Sequence, residues 1–405
     1  MKNSAVVRSQ VCQAAIVVAE FFGTSLWFSA TAVSAEISEA LGRHGGEPLD
    51  LSSAVQIGFV SGTLLIGLTG LADRFRASSI FAASAVFGAA ANALIAALPM
   101  TLAPILICRF ATGVALAGVY PIGMKLAVSW NRNSAGRVLG WLVAMLTLGT
   151  AAPYLMHYLN TGQDWRLTIL GASVLACAAA LIALITRDGP DIQSGRRARI
   201  EFAALLGQFK LPKLAAASLG YLGHMWELYA FWCLVPFLVA SATRHEPGWP
   251  VSLLAFLVIS AGALGSVIGG IVSRAAGSRA VALIGLSGSA AACAIVPVLD
   301  APWLLLTVLF IWGFLVIPDS PQLSSLAVEA CNSDQVASTL AILNGTGFLL
   351  TAVSIKLTLA FWPSIGPAVA WLLLPGPLAG LLALVFLEDI LTKSSQARQA
   401  SQRHQ

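Results

Sequence analysis

Four ionisable side chains stand deep inside long apolar runs of this sequence, away from the ends where Lys125, His157 and Lys356 fall: Glu20, Arg109, Glu227 and Asp319, with His224 three residues before Glu227. Charges in such settings are costly and commonly mark ion or substrate paths. A carboxylate and a guanidinium at matching depth can pair when the acid is ionised and part when it is protonated, because a neighbouring cation favours the charged acid and burial favours the neutral one. At helical rise, Glu20 lies about 14 Å into its run and Arg109 about 10 Å in from the opposite end. In a hydrocarbon core of ~30 Å the two levels differ by about 6 Å, within reach of two long side chains. The expectation is a Glu20–Arg109 pair that, with Glu227, couples to protons; a permanent structural ion pair is the alternative. His224 and Glu227, spaced i, i+3, share one helix face. Together with Trp226, Tyr229, Trp232 and Tyr120 they are read as substrate-binding residues, a titratable pair between aromatic walls, with plain helix packing as the alternative. No third ligand accompanies His224 and Glu227, so no zinc site is expected, nor any other metal or cofactor. Asp319 lies between Pro318 and Pro321, whose missing amides break a helix and free carbonyls. It is read as a gate, or as a hydrogen bonder that stabilises the bend.

The elements that must hold these residues follow from composition. Of 405 residues 58% are hydrophobic and 10% charged, with mean hydropathy +0.83. Soluble domains are nearer half apolar and a quarter charged, so a soluble enzyme, a disordered chain and a nucleic-acid-binding domain are excluded. The six cysteines form no CxxC pair and fall mostly in apolar runs, as buried small hydrophobes do. Apolar runs occur near 11–33, 52–72, 78–98, 102–127, 138–158, 166–186, 214–240, 251–273, 279–298, 302–328, 336–358 and 367–388. Each is long enough to span a bilayer, and the first is too long for the core of a cleavable signal. No alternating pattern points to a β-barrel.

Lys and Arg orient the chain. If the N-terminus is cytoplasmic, 17 of the 23 basic residues fall inside, including Arg137 and Arg274, and three fall outside: Arg43, Arg166 and Arg244. Both termini are therefore expected in the cytoplasm. The expected organisation is an N-terminal six-helix bundle over 1–187, a cytoplasmic basic linker over 188–212 with Arg196, Arg197 and Arg199, a C-terminal six-helix bundle over 213–390, and a cytoplasmic tail over 391–405. Asp334 is read as a helix cap.

The halves repeat. Gly62, Gly70 and Arg74 recur as Gly262, Gly270 and Arg274, and Tyr120-Pro121 has a counterpart in Ile317-Pro318. Such repeats mark transporters with a binding site between two related bundles. With Leu71 to Arg74 after the second run, Arg109 four residues before Gly113, and Trp165-Arg166 opening the sixth, the chain resembles the major facilitator superfamily. It departs from the family's loop motif at Thr69 and Arg76. Of the antiporter motif it keeps Gly149 and Pro153, but has Tyr154 to Met156 in place of glycines.

The resemblance implies an all-α integral membrane protein of twelve transmembrane helices, in two six-helix bundles related by a pseudo-two-fold axis. It implies secondary transport by alternating access, with Asp73 and Arg74 as a gating latch. No Walker loop, HExxH or GxSxG motif suggests ATP hydrolysis or enzymatic chemistry. The expected function is proton-coupled uptake of a small organic solute, aromatic or heterocyclic, by a monomer in the cytoplasmic (inner) membrane. Its partners are the solute, protons and the lipid bilayer, with no nucleic acid. A proton-antiporting exporter of amphiphilic or cationic compounds, or a sensor that does not transport, is the alternative. Three deep carboxylates against one deep arginine argue against a highly charged anion.

Overall fold

A computed structural model describes residues 2–43, 49–99, 101–131, 135–191, 207–244, 248–332 and 335–387. Eleven unbroken stretches are long and apolar enough to cross a membrane, and the last of them, Ser338–Leu387, folds back on itself. The result is twelve passages. They are α1 (Lys2–Thr24), α2 (Ser52–Thr69), α3 (Ala77–Ala97), α4 in two pieces (Leu102–Ala117 and Tyr120–Ser129), α5 (Ala135–Leu159) and α6 (Arg166–Thr186) in the first half. The second half holds α7 (Pro212–Ala242), α8 (Val251–Ala276), α9 (Ser278–Ile295), α10 in two pieces (Pro302–Leu315 and Asp319–Ala330), α11 (Val336–Ile365) and α12, assembled from Ala370–Leu373, Pro375–Leu382 and Ala383–Leu387. No strand occurs among the described residues. The face from which α1 starts is called the near face below, and the opposite one the far face.

Besides α12, three passages break inside the apolar layer, each for a local reason. In α4 the helix stops at Ala117 and restarts at Tyr120, where Pro121 has no amide to give the preceding turn. In α10 the same happens between Leu315 and Asp319, around Pro318. Hydropathy predicts that the first run is helical to about residue 33. Instead α1 ends at Thr24, and residues 25–33 form turns before a short helix, Ser34–Ala40. Hydroxyls compete with the backbone at this end: Thr24 Oγ1 donates to the Glu20 carbonyl at 2.7 Å and Ser25 Oγ to the Phe22 carbonyl at 2.7 Å.

Each half is held by the same close crossing. Gly113 in α4 lies so near the Val55 carbonyl of α2 that a Cβ there would overlap it, and Gly313 in α10 meets the Val258 carbonyl of α8 in the same way. Small residues at a crossing let two backbones approach, the usual basis of helix association in lipid. Gly113→Ala should therefore destabilise the protein by roughly 1–3 kcal/mol, the usual cost of overpacking. Gly67→Ala should be near neutral, because nothing lies within 4 Å of its added methyl. Thermal melts of the two purified variants check this; equal melting temperatures would contradict it.

The bundles meet along two seams, α2 against α11 and α5 against α8. In the first, Ser53 Oγ donates to the Ala352 carbonyl at 3.1 Å.

Candidate substrate cavity

Between the bundles lies a cavity of about 710 Å³. Its walls come from α4, α5, α7, α8, α10 and α11, and it reaches Arg137, Arg274 and Ser278 at the near-face ends of α5, α8 and α9. Both arginines are exposed. The cavity is thus open on the near face.

Toward the far face, aromatic rings fill the space between the bundles. Trp27 packs on Phe59 at 5.1 Å, Tyr229 at 5.5 Å and Phe348 at 5.9 Å, while Phe59 and Phe348 lie 4.3 Å apart. Trp232 meets Tyr229 at 5.1 Å and Phe28 at 6.1 Å. These rings join α2 of one bundle to α7 and α11 of the other, and all are buried. Trp27 and Phe28 reach this place because they sit on the turn that follows the broken end of α1. The sequence does not single out Trp27; its place depends on a helix end that no proline announces.

Helix α7 sends two faces in different directions. Tyr221, Met225, Leu228, Tyr229 and Trp232, at helical spacing, line the cavity, as do Tyr120 of α4 and Phe348 of α11. Of the residues read as substrate-binding, Tyr120, Tyr229 and Trp232 are thus placed on the cavity wall. This placement does not extend to His224 and Glu227, which share one face as expected, but a face turned into the C-terminal bundle. His224 Nδ1 lies 3.0 Å from Asp319 Oδ1, both side chains almost wholly buried. Glu227 Oε1 accepts from Trp312 Nε1 at 2.5 Å, and Phe231 stacks on Trp312 at 4.2 Å. These partners lie on α10, behind the cavity wall. Trp226 turns toward α12, where Nε1 donates to the Leu372 carbonyl at 2.8 Å.

Asp319, read as a gate, opens the second piece of α10 and faces His224. A carboxylate in a first helical turn also meets the positive end of the helix dipole. Its neighbours Ser320 and Gln322 do line the cavity. Of the latch, Arg74 is exposed on the short helix Leu71–Arg74, and the side chain of Asp73 lies outside what is described. Asp334, Arg196, Arg197 and Arg199 also lie outside the described residues.

The expected Glu20–Arg109 pair does not form. Arg109 is fully buried, and its guanidinium donates to the Leu26 carbonyl at 3.1 Å, Ser29 Oγ at 3.2 Å, Asn92 Oδ1 at 3.3 Å and the Trp27 carbonyl. The cause is the early end of α1, which leaves carbonyls without amide partners at this depth. Arg109 supplies them with donors and so holds Trp27 in place. Glu20, one turn before that end, is fully buried, and neither carboxyl oxygen has a hydrogen-bond partner among the described residues. Its carboxyl group packs over Gly123 of α4, where there is no side chain. Gly123 lies one turn from Tyr120 on the cavity wall.

Twelve passages in two like bundles, around one central cavity open on a single face, have the architecture of a multi-pass secondary transporter. The family model of the Major Facilitator Superfamily matches residues 15–355, and the chain belongs to that superfamily. It is a transporter and not an enzyme. Among solved structures it is similar to the crystal structure of a point mutant of the nucleoside transporter NupG, with a TM-score of 0.72 at 15% identity over 94% of this chain and 99% of that one. At that identity the likeness concerns the fold. No curated protein sequence matches the chain.

Proposed function

We propose that the protein carries a small organic solute with a planar, aromatic or heterocyclic part across the cytoplasmic membrane by alternating access, in symport with protons. Both termini are cytoplasmic in this reading, so the near-face opening is the inward-open state. The observation that carries the reading is the cavity: closed by rings on one face, open on the other, and walled by Tyr120, Tyr221, Tyr229, Trp232 and Phe348. Such walls stack planar groups. Glu20 is the proposed proton carrier of the N-terminal bundle. An unpaired carboxylate buried this way is costly in its charged form, which suits a group that must give up and regain a proton. Opening toward the far face would bring water to the end of α1 and let the proton exchange.

Purified protein in liposomes with an inward proton gradient tests this, using labelled nucleosides, nucleobases, indoles and small aromatic acids as solutes. Accumulation of at least one of them, abolished by a protonophore, is expected. Flux that ignores the protonophore would remove the proton coupling, and no flux of any solute would remove the transport reading. The orientation has its own check. A reporter active only outside the cytoplasm should work when fused near Glu246 and fail near Arg197; the reverse pattern would overturn it.

A further inference from the structure

The cavity carries an uneven charge pattern. Among its lining residues are two cations, Arg137 and Arg274, and no carboxylate: Glu20, Glu227 and Asp319, the deep acids, all lie outside it. The two arginines stand at the near-face ends of α5 and α8, at the mouth, and neither has an ion-pair partner among the described residues. Two like charges facing one cleft, with no carboxylate among the described residues that line it, raise the local concentration of anions; a described acid outside the lining, Glu329, accepts from the lining Ser325. Deeper in, the walls change character to Tyr221, Met225, Tyr229, Trp232 and Phe348. Between the two zones Gln322 and Asn344 offer amide donors.

Resting on the transport reading above, we infer that the substrate is a small organic monoanion: a flat apolar body seated on the rings, with a carboxylate or equivalent head directed toward Arg137 and Arg274. The expectation from three deep carboxylates is directed against a highly charged anion; none of the three lines the cavity, and a monoanion is compatible with it. A guanidinium matches a carboxylate with two parallel hydrogen bonds, so the head is fixed in direction as well as held. A cationic substrate would meet two positive charges at the mouth and, among the described lining residues, no negative charge inside.

The test uses matched probes that differ only in the head group: phenylacetate, phenylacetamide and phenethylamine, and indole-3-acetate, indole-3-acetamide and tryptamine. Binding to the full-length purified protein is read by thermal shift and by competition. At least one acid should bind, with its amide and amine weaker by about tenfold or more, as the loss of a charged hydrogen bond implies. Arg137→Gln and Arg274→Gln should each weaken the acid severalfold, while Arg76→Gln, a near-face cation away from the cavity, should not. Amides or amines binding as well as the acids would overturn the inference. So would acids that bind the two variants unchanged, or the absence of binding by every acid. Counterflow in liposomes separates this failure from failure of the transport reading. An uncharged probe that exchanges leaves transport standing and removes the anion, whereas an acid that binds without exchanging does the opposite.

Discussion

Glu20→Gln is expected to abolish accumulation driven by a pH gradient while leaving exchange between two loaded compartments largely intact. Glutamine keeps the size and hydrogen-bonding capacity of the side chain but can neither take up nor release a proton. Net uptake requires the carrier to return empty after the proton has left, and that step is lost. Exchange needs no such step, because the carrier returns loaded. The geometry makes the effect specific: Glu20 is buried, lacks a hydrogen-bond partner among the described residues and lies against Gly123 beside the cavity wall. Removing its charge leaves no cation stranded, since Arg109 is occupied by the end of α1. The protein should therefore fold normally. Wild-type accumulation by this variant, with the pH gradient as sole driving force, would make Glu20 structural.

Asp319→Asn is expected to act on stability, by roughly 1–3 kcal/mol, the usual cost of leaving a buried polar group without its partner. His224 and Asp319 join α7 to the restart of α10 at 3.0 Å with almost no exposure. The variant should melt well below the wild type. A double variant, His224→Leu with Asp319→Leu, should melt above the single variant, because two apolar side chains leave no buried polar group without a partner. If the single variant melts like the wild type, the pair contributes nothing to holding α10 against α7.

Much of the architecture is legible in the sequence. Length and hydropathy dictate the number of passages, because a chain in lipid has few ways to satisfy its backbone. The prolines at 121 and 318 announce two of the three breaks. The break in α1 carries no such mark: it depends on Thr24, Ser25 and a guanidinium from 83 residues further along the chain, counted from Leu26. The pairing expected for Arg109 fails for that reason. Helix α7 misleads in a different way. It is apolar around nearly its whole circumference, so spacing groups His224 with Glu227 but does not say which way that face turns. Only packing against Trp312 and Asp319 decides it. Met225 and Phe348 escape notice because cavity-lining residues of these types look like core in any apolar run.

The ring cluster at the far face has a thermal consequence. No ion pair among the described residues joins the bundles there; the seam is mostly apolar rings, with hydroxyl contacts from Ser53 to the Ala352 carbonyl and from Ser52 to Cys233. Parting it wets apolar surface, so the opening carries a positive heat capacity change, as unfolding does. Apolar attraction weakens on cooling. Cooling therefore loosens this far-face seam, and added salt does so much less.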